Sequence, residues 1–131
     1  MSVSRSELRE KVMTILYQIE MYDKNKFEYN LDEVIKENVE IQNEFVNEMV
    51  NGVINNREEI DDIANKYLKD WTIDRLETIG ASILRMAIYE INYMDTPKIV
   101  VINEAIDLAK KYSDDNVRKM INAVLDKIVN E

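Results

Sequence analysis

The 131-residue sequence contains no histidine and no cysteine. Their absence removes the serine–histidine and cysteine–histidine nucleophilic systems and any zinc site of the usual nitrogen and sulfur type. Without cysteine there is no disulfide framework, which fits a cytoplasmic home. Two glycines and one proline in the whole chain argue for helices joined by short connections. Neither common glycine-rich phosphate loop is present, and no residue set calls for a cofactor or a metal. No apolar run approaches the roughly 20 residues that cross a bilayer, so no membrane association is expected. The N-terminus lacks the basic-then-apolar layout of a signal peptide. Strict apolar/polar alternation is missing too, which leaves no half-buried strand to place.

What remains is 46% hydrophobic and 33% charged, a balance that suits a folded and not a disordered chain. The length predicts one domain over residues 1–131, all-α in class. The formal charge of −9 raises the electrostatic work of approaching phosphate. A local basic patch can still act, because salt confines charge effects to about 8–10 Å.

The stretch from Ile83 to Tyr112 holds the only proline and the densest apolar run. Ile83, Leu84, Ala87, Ile88, Ile91 and Met94 recur at helical spacing, and so do Val101, Ala105, Leu108, Ala109 and Tyr112. Between them Pro97 should stop the first helix by about Asp95 and open the second, with Thr96 as its cap. Arg85, Glu90, Asn103 and Glu104 interrupt this hairpin. Read as residues alone, Arg85 or Glu90 pairs with Glu104 or lies on a solvated face.

Upstream, residues 4–22 read as a helix opened by the pair Ser4 and Glu7, with Leu8, Val12, Ile15, Leu16 and Ile19 as its buried stripe. Arg5, Arg9 and Lys11 oppose the helix dipole there, so helix stability does not explain them. A short helix is expected over 32–37, another over 41–54, and a third capped by Asn56 with Glu59. Thr72 should cap a long helix that opens with Ile73 and runs without a break to Met94. The last helix follows the cap Ser113–Asn116. The small residues Gly52 and Gly80–Ser82 read as packing positions. Carboxylate pairs such as Glu58–Glu59, Asp61–Asp62 and Asp114–Asp115 fall at helix starts or polar faces, where acids favour the dipole. No catalytic dyad is expected from them.

The strings Leu84-Arg85-Met86-Ala87-Ile88-Tyr89-Glu90 and Val101-Ile102-Asn103-Glu104-Ala105-Ile106-Asp107-Leu108-Ala109-Lys110 resemble hallmark segments of the NusB family of transcription antitermination factors. Trp71-x-x-x-Arg75-Leu76, Leu16-Tyr17-Gln18 and Met120-Ile121-Asn122-Ala123-Val124-Leu125-Asp126 agree with that family in order. The resemblance implies a NusB-like fold of two perpendicular three-helix bundles and a non-enzymatic role. It implies binding of boxA-type RNA from ribosomal RNA leader transcripts, pairing with the small-subunit ribosomal protein also called NusE, and action within the RNA polymerase antitermination complex. Because family members include monomers and dimers, a homodimer is among the implied partners. On the same ground Arg5, Arg9, Lys110, Lys111, Arg118, Lys119 and Asn122 are expected at RNA, and Tyr17, Asn103, Glu104 and Asn116 at the protein partner. Two departures fall on the RNA side. Ser6 and Glu7 stand where further arginines are usual, and Met120 replaces a phenylalanine whose flat face could stack on a base. Two rivals remain: the same resemblance also implies a partner-dependent domain of an RNA-modifying enzyme, and the acidic balance with the thinned arginines fits a protein-interaction or self-associating helical module with little RNA binding of its own.

Overall fold

The structure, a computed structural model, describes residues 3–131. These form α1 (Arg5–Lys24), α2 (Leu31–Asn38), α3 (Glu44–Asn55), α4 (Arg57–Tyr67), α5 (Thr78–Tyr93), α6 (Lys98–Tyr112) and α7 (Asp115–Asn130), with a short 3-10 turn at Ile73–Arg75. Among the described residues there is no strand, as expected. Polar caps set most helix starts. Ser4 Oγ accepts from the Glu7 N–H, Asn30 from Glu33, Asn43 from Val46 and Asp114 from Val117, each satisfying a donor that the helix itself cannot.

Helix α5 is the shared centre. Every residue from Gly80 to Ile91 is buried, including Arg85 and Glu90. It packs against α1, α3 and α4 and also against α6 and α7, so two helical groups close over one core. A helix apolar on all sides needs partners all round, which explains the unbroken run of buried positions. Gly80 allows the approach of α7: a β-carbon there would lie 2.7 Å from Val117 Cγ1.

Four local expectations are corrected. The helix opened by Ile73 does not run into α5. Asn65 Oδ1 takes the Ile73 N–H at 2.8 Å and Leu76 is extended (ψ 156°), so only a 3-10 turn forms. Glu77 then starts α5, its carboxylate accepting from the N–H groups of Ile79 and Gly80. Asn56 does not cap α4 with its side chain; its Nδ2 turns back to the Gly52 carbonyl at 2.8 Å and closes α3. Thr96 lies one residue too early to cap α6, because Pro97 itself precedes the helix and its carbonyl accepts from Val100 and Val101. Ile41 stands outside α3 and 82% exposed, since Asn43 takes the cap.

Arg85 and Glu90 are neither solvated nor paired with Glu104, which corrects the expectation for them. Arg85 Nε donates to Asp61 Oδ1 at 2.8 Å, and its Nη2 reaches Asp61 and Asp74. Glu20 Oε2 lies 3.6 Å from Arg85 Nη1 and 2.9 Å from Arg57 Nη1, so one carboxylate of α1 joins two arginines of α4 and α5. Paired in this way, the buried guanidinium avoids the large cost of an uncompensated charge.

Candidate nucleic-acid and protein interface

A few side-chain contacts join α1 to α6 near several of the expected interface residues, and the chain then turns directly into α7. Ser6 Oγ donates to Glu104 Oε1 at 2.7 Å. One turn further along α1, Lys111 Nζ sits 3.2 Å from both oxygens of Glu10, and the Tyr112 hydroxyl also donates to Glu10. Contacts advance in the same direction on both helices, from Ser6 and Glu104 to Glu10 and Lys111, which orients α1 and α6 alike. Seven residues separate Glu104 from Lys111, about 10 Å along the helix axis.

The expectation for Arg9 is corrected. Its side chain points into the core and is only 5% exposed. Nε donates to Glu90 Oε1 at 2.9 Å and Nη2 to Glu90 Oε2 at 2.6 Å, a bidentate pair between α1 and α5. Glu104 Oε1 adds a second carboxylate at 3.7 Å from Nη1. The hydrogen bond to Glu90 raises the Arg9 pKa against the opposing effect of burial. Two carboxylates therefore hold this cation inside, where a phosphate cannot replace them cheaply.

Arg5, one turn earlier, is exposed, and its guanidinium lies 4.2 Å from the Phe45 ring centre on α3. Arg9 lies 5.5 Å from the same ring, so Phe45 carries both arginines. The ring face attracts cations and fixes the plane of Arg5 without neutralising it. Around Arg5 opens a broad groove lined by Phe45, Tyr93, Pro97, Val100 and the carboxylates Glu48 and Asp95.

At the far end of α6, Lys110 and Lys111 occupy the last turn, where cations complement the helix dipole. The two-residue connection Ser113–Asp114 leads directly into α7. This brings Arg118 and Lys119 to the same corner of the molecule. Lys110 and Lys119 are exposed and form no ion pair among the described residues. Arg118 leans on Asp115 at 3.4 Å, a contact between neighbouring turns of one helix. Asn122 is exposed one turn beyond Arg118. Of the residues expected at a protein partner, Asn103 and Asn116 are exposed, Tyr17 is half-buried on α1, and Glu104 is half-buried beneath Ser6. The basic side chains do not form one uninterrupted strip, because Glu10 and Glu104 lie between Arg5 and the α6–α7 corner.

Sequence reasoning missed Phe45 as the support for Arg5, and Glu10 as the partner of Lys111 and Tyr112. Both contacts are tertiary, and no local spacing encodes them. Among the described residues there is no cluster of acids able to hold a metal, and no helix long and apolar enough to cross a membrane.

The model of the NusB family matches residues 6–130 of this sequence. The chain belongs to the NusB family. It is 41% identical over 129 residues to transcription antitermination protein NusB of Macrococcus caseolyticus, covering 97% of both chains. To the NusB of Staphylococcus aureus it is 42% identical over 127 residues, 96% of this chain and 98% of that one. Among solved structures, T. maritima NusB superposes with a TM-score of 0.86 at 31% identity, covering 100% of this chain and 94% of that chain. A chain in the crystal structure of antitermination factors NusB and NusE in complex with dsRNA gives 0.80 at 30% identity, with 96% of each chain covered. The NusB fold is therefore the fold of this chain, as its sequence implied. NusB proteins are transcription antitermination factors and not enzymes.

Proposed function

We propose that this NusB-family protein acts in the cytoplasm as an RNA-binding antitermination factor. In this reading it binds boxA-type RNA of ribosomal RNA leader transcripts jointly with NusE and works within the RNA polymerase antitermination complex. The observation that carries the reading is the α6–α7 corner, where a two-residue connection gathers Lys110, Lys111, Arg118 and Lys119 beside exposed Asn116 and Asn122. Its likeness to a chain in a complex of NusB, NusE and dsRNA supports the same reading.

Arg5 and the α6–α7 cations contact phosphate, and Asn122 offers both a donor and an acceptor to a base edge or a sugar. Asn103, Asn116 and Tyr17 face NusE. With Arg9 held inside and Glu10 and Glu104 at the α1–α6 contacts, few phosphates are neutralised, so the grip on RNA alone is feeble and salt-sensitive. NusE then supplies the missing contacts. The reading is tested by replacing Lys110 and Lys119 together with alanine, which should weaken RNA binding and lower the salt slope by about two units. An unchanged slope removes the α6–α7 corner from the RNA surface.

A further inference from the structure

We infer that Arg9 and Glu90 are positioning residues that fix the first turns of α1, so that Arg5 is set in place before RNA arrives; the inference rests on the RNA reading above. Three observations carry it. First, Arg9 is the one cation of the N-terminal helix that is buried, and both its Nε and Nη2 are committed to Glu90. Second, a further carboxylate ties the same turns to α6: Glu104 accepts from Ser6 Oγ and approaches Arg9 Nη1. Third, the Phe45 ring carries the exposed guanidinium of Arg5 at 4.2 Å and has the buried guanidinium of Arg9 5.5 Å from its centre, so one ring links the two.

The start of a helix frays easily, because its first N–H groups lack partners within the helix. Here the fraying segment is anchored to α3, α5 and α6 at once. A long arginine side chain loses rotamer freedom when it binds phosphate, and holding it beforehand on an aromatic face reduces that loss. Arg9 therefore acts on RNA through Arg5 and not through its own charge. Arginine is required at position 9 because only its planar fork meets both Glu90 oxygens together.

The two roles predict opposite signs for Glu90→Gln. If Arg9 were an RNA ligand restrained by Glu90, weakening the pair would release it and tighten binding. As a positioning pair, Glu90→Gln weakens binding about fivefold or more at fixed salt and leaves the salt slope unchanged, while in an Arg5→Ala background the same substitution has no further effect. Arg9→Lys keeps the charge, avoids an unpaired buried acid, and should behave like Glu90→Gln. Binding is read by fluorescence anisotropy with a boxA-type RNA oligonucleotide. Tighter binding by Glu90→Gln, or an equal loss with and without Arg5, overturns the inference. A second measurement needs no RNA. Amide exchange of Leu8 to Lys11 should quicken in both variants while α7 stays protected; unchanged exchange also overturns it. A parent that binds no RNA would sink the functional reading, and the exchange measurement would still decide the positioning role.

Discussion

Arg85 on α5 holds Asp61 on α4 through two guanidinium nitrogens, Nε to Oδ1 at 2.8 Å and Nη2 to Oδ2 at 3.2 Å. Removing the acid leaves a buried cation with only the longer contacts to Asp74 and Glu20. Asp61→Ala should therefore cost about 3 kcal/mol, near the low end for breaking a buried pair. Replacing both partners, Arg85→Met with Asp61→Leu, should recover most of that loss, since no unpaired buried charge then remains and Glu20 keeps Arg57 as its partner. Chemical denaturation of the two variants checks the comparison. A double variant no more stable than Asp61→Ala would contradict it.

Gly52 packs directly against the Tyr89 ring. A β-carbon at position 52 would lie 2.2 Å from Tyr89 Cζ, far inside contact distance. In an exposed helix Gly→Ala gains about 1 kcal/mol of propensity. Here the ring must move, and overpacking of this kind costs about 1–3 kcal/mol. Gly52→Ala should be neutral to destabilising in the parent and stabilising in a Tyr89→Leu background. Equal effects in the two backgrounds would show that the ring is not what excludes a side chain.

Leu84 is fully buried in α5, and Leu108 nearly so in α6. Truncation to alanine at either site should cost about 2–5 kcal/mol, with Leu84 the more severe because less space is open to solvent beside it. A loss under about 0.5 kcal/mol at either site would mean that its surroundings collapse freely onto the cavity.

The Tyr112 hydroxyl, with the Lys111 ammonium, holds the Glu10 carboxyl below its ordinary pKa. A carboxyl depressed in the folded state adds stability above its unfolded pKa of about 4.3, and that stability disappears as pH falls through the lower folded value. The melting-temperature difference between the parent and Glu10→Gln should thus be constant at neutral pH and shrink below about pH 4. Because this contact is largely exposed, the effect is small and screened by salt. A difference that grows on acidification would reverse the sign and contradict the contact.

Helix number, class and central hairpin were legible because apolar spacing and Pro97 act locally. The α5 start was not. Thr72 is the better cap by residue type, and only the tertiary bond from Asn65 and the extended Leu76 reveal why the helix waits for Glu77. The depth of Arg9 left a trace in the sequence: it falls in phase with Met13 and Leu16 on the buried face of α1. Glu90 likewise falls in phase with Ile83 and Ala87. What spacing cannot supply is that these two charges, 81 residues apart, meet each other. For the same reason Glu10 was not seen to interrupt the basic side chains.

The proposed function has this protein grip boxA-type RNA weakly alone and firmly with NusE. The most direct measurement is an anisotropy titration of one labelled boxA oligonucleotide by this protein, by purified NusE, and by their mixture, at two salt concentrations. Expected are weak, salt-sensitive binding by this protein alone and at least a tenfold gain, about 1.4 kcal/mol, in the mixture over either component. Binding by the mixture no tighter than by NusE alone would contradict it.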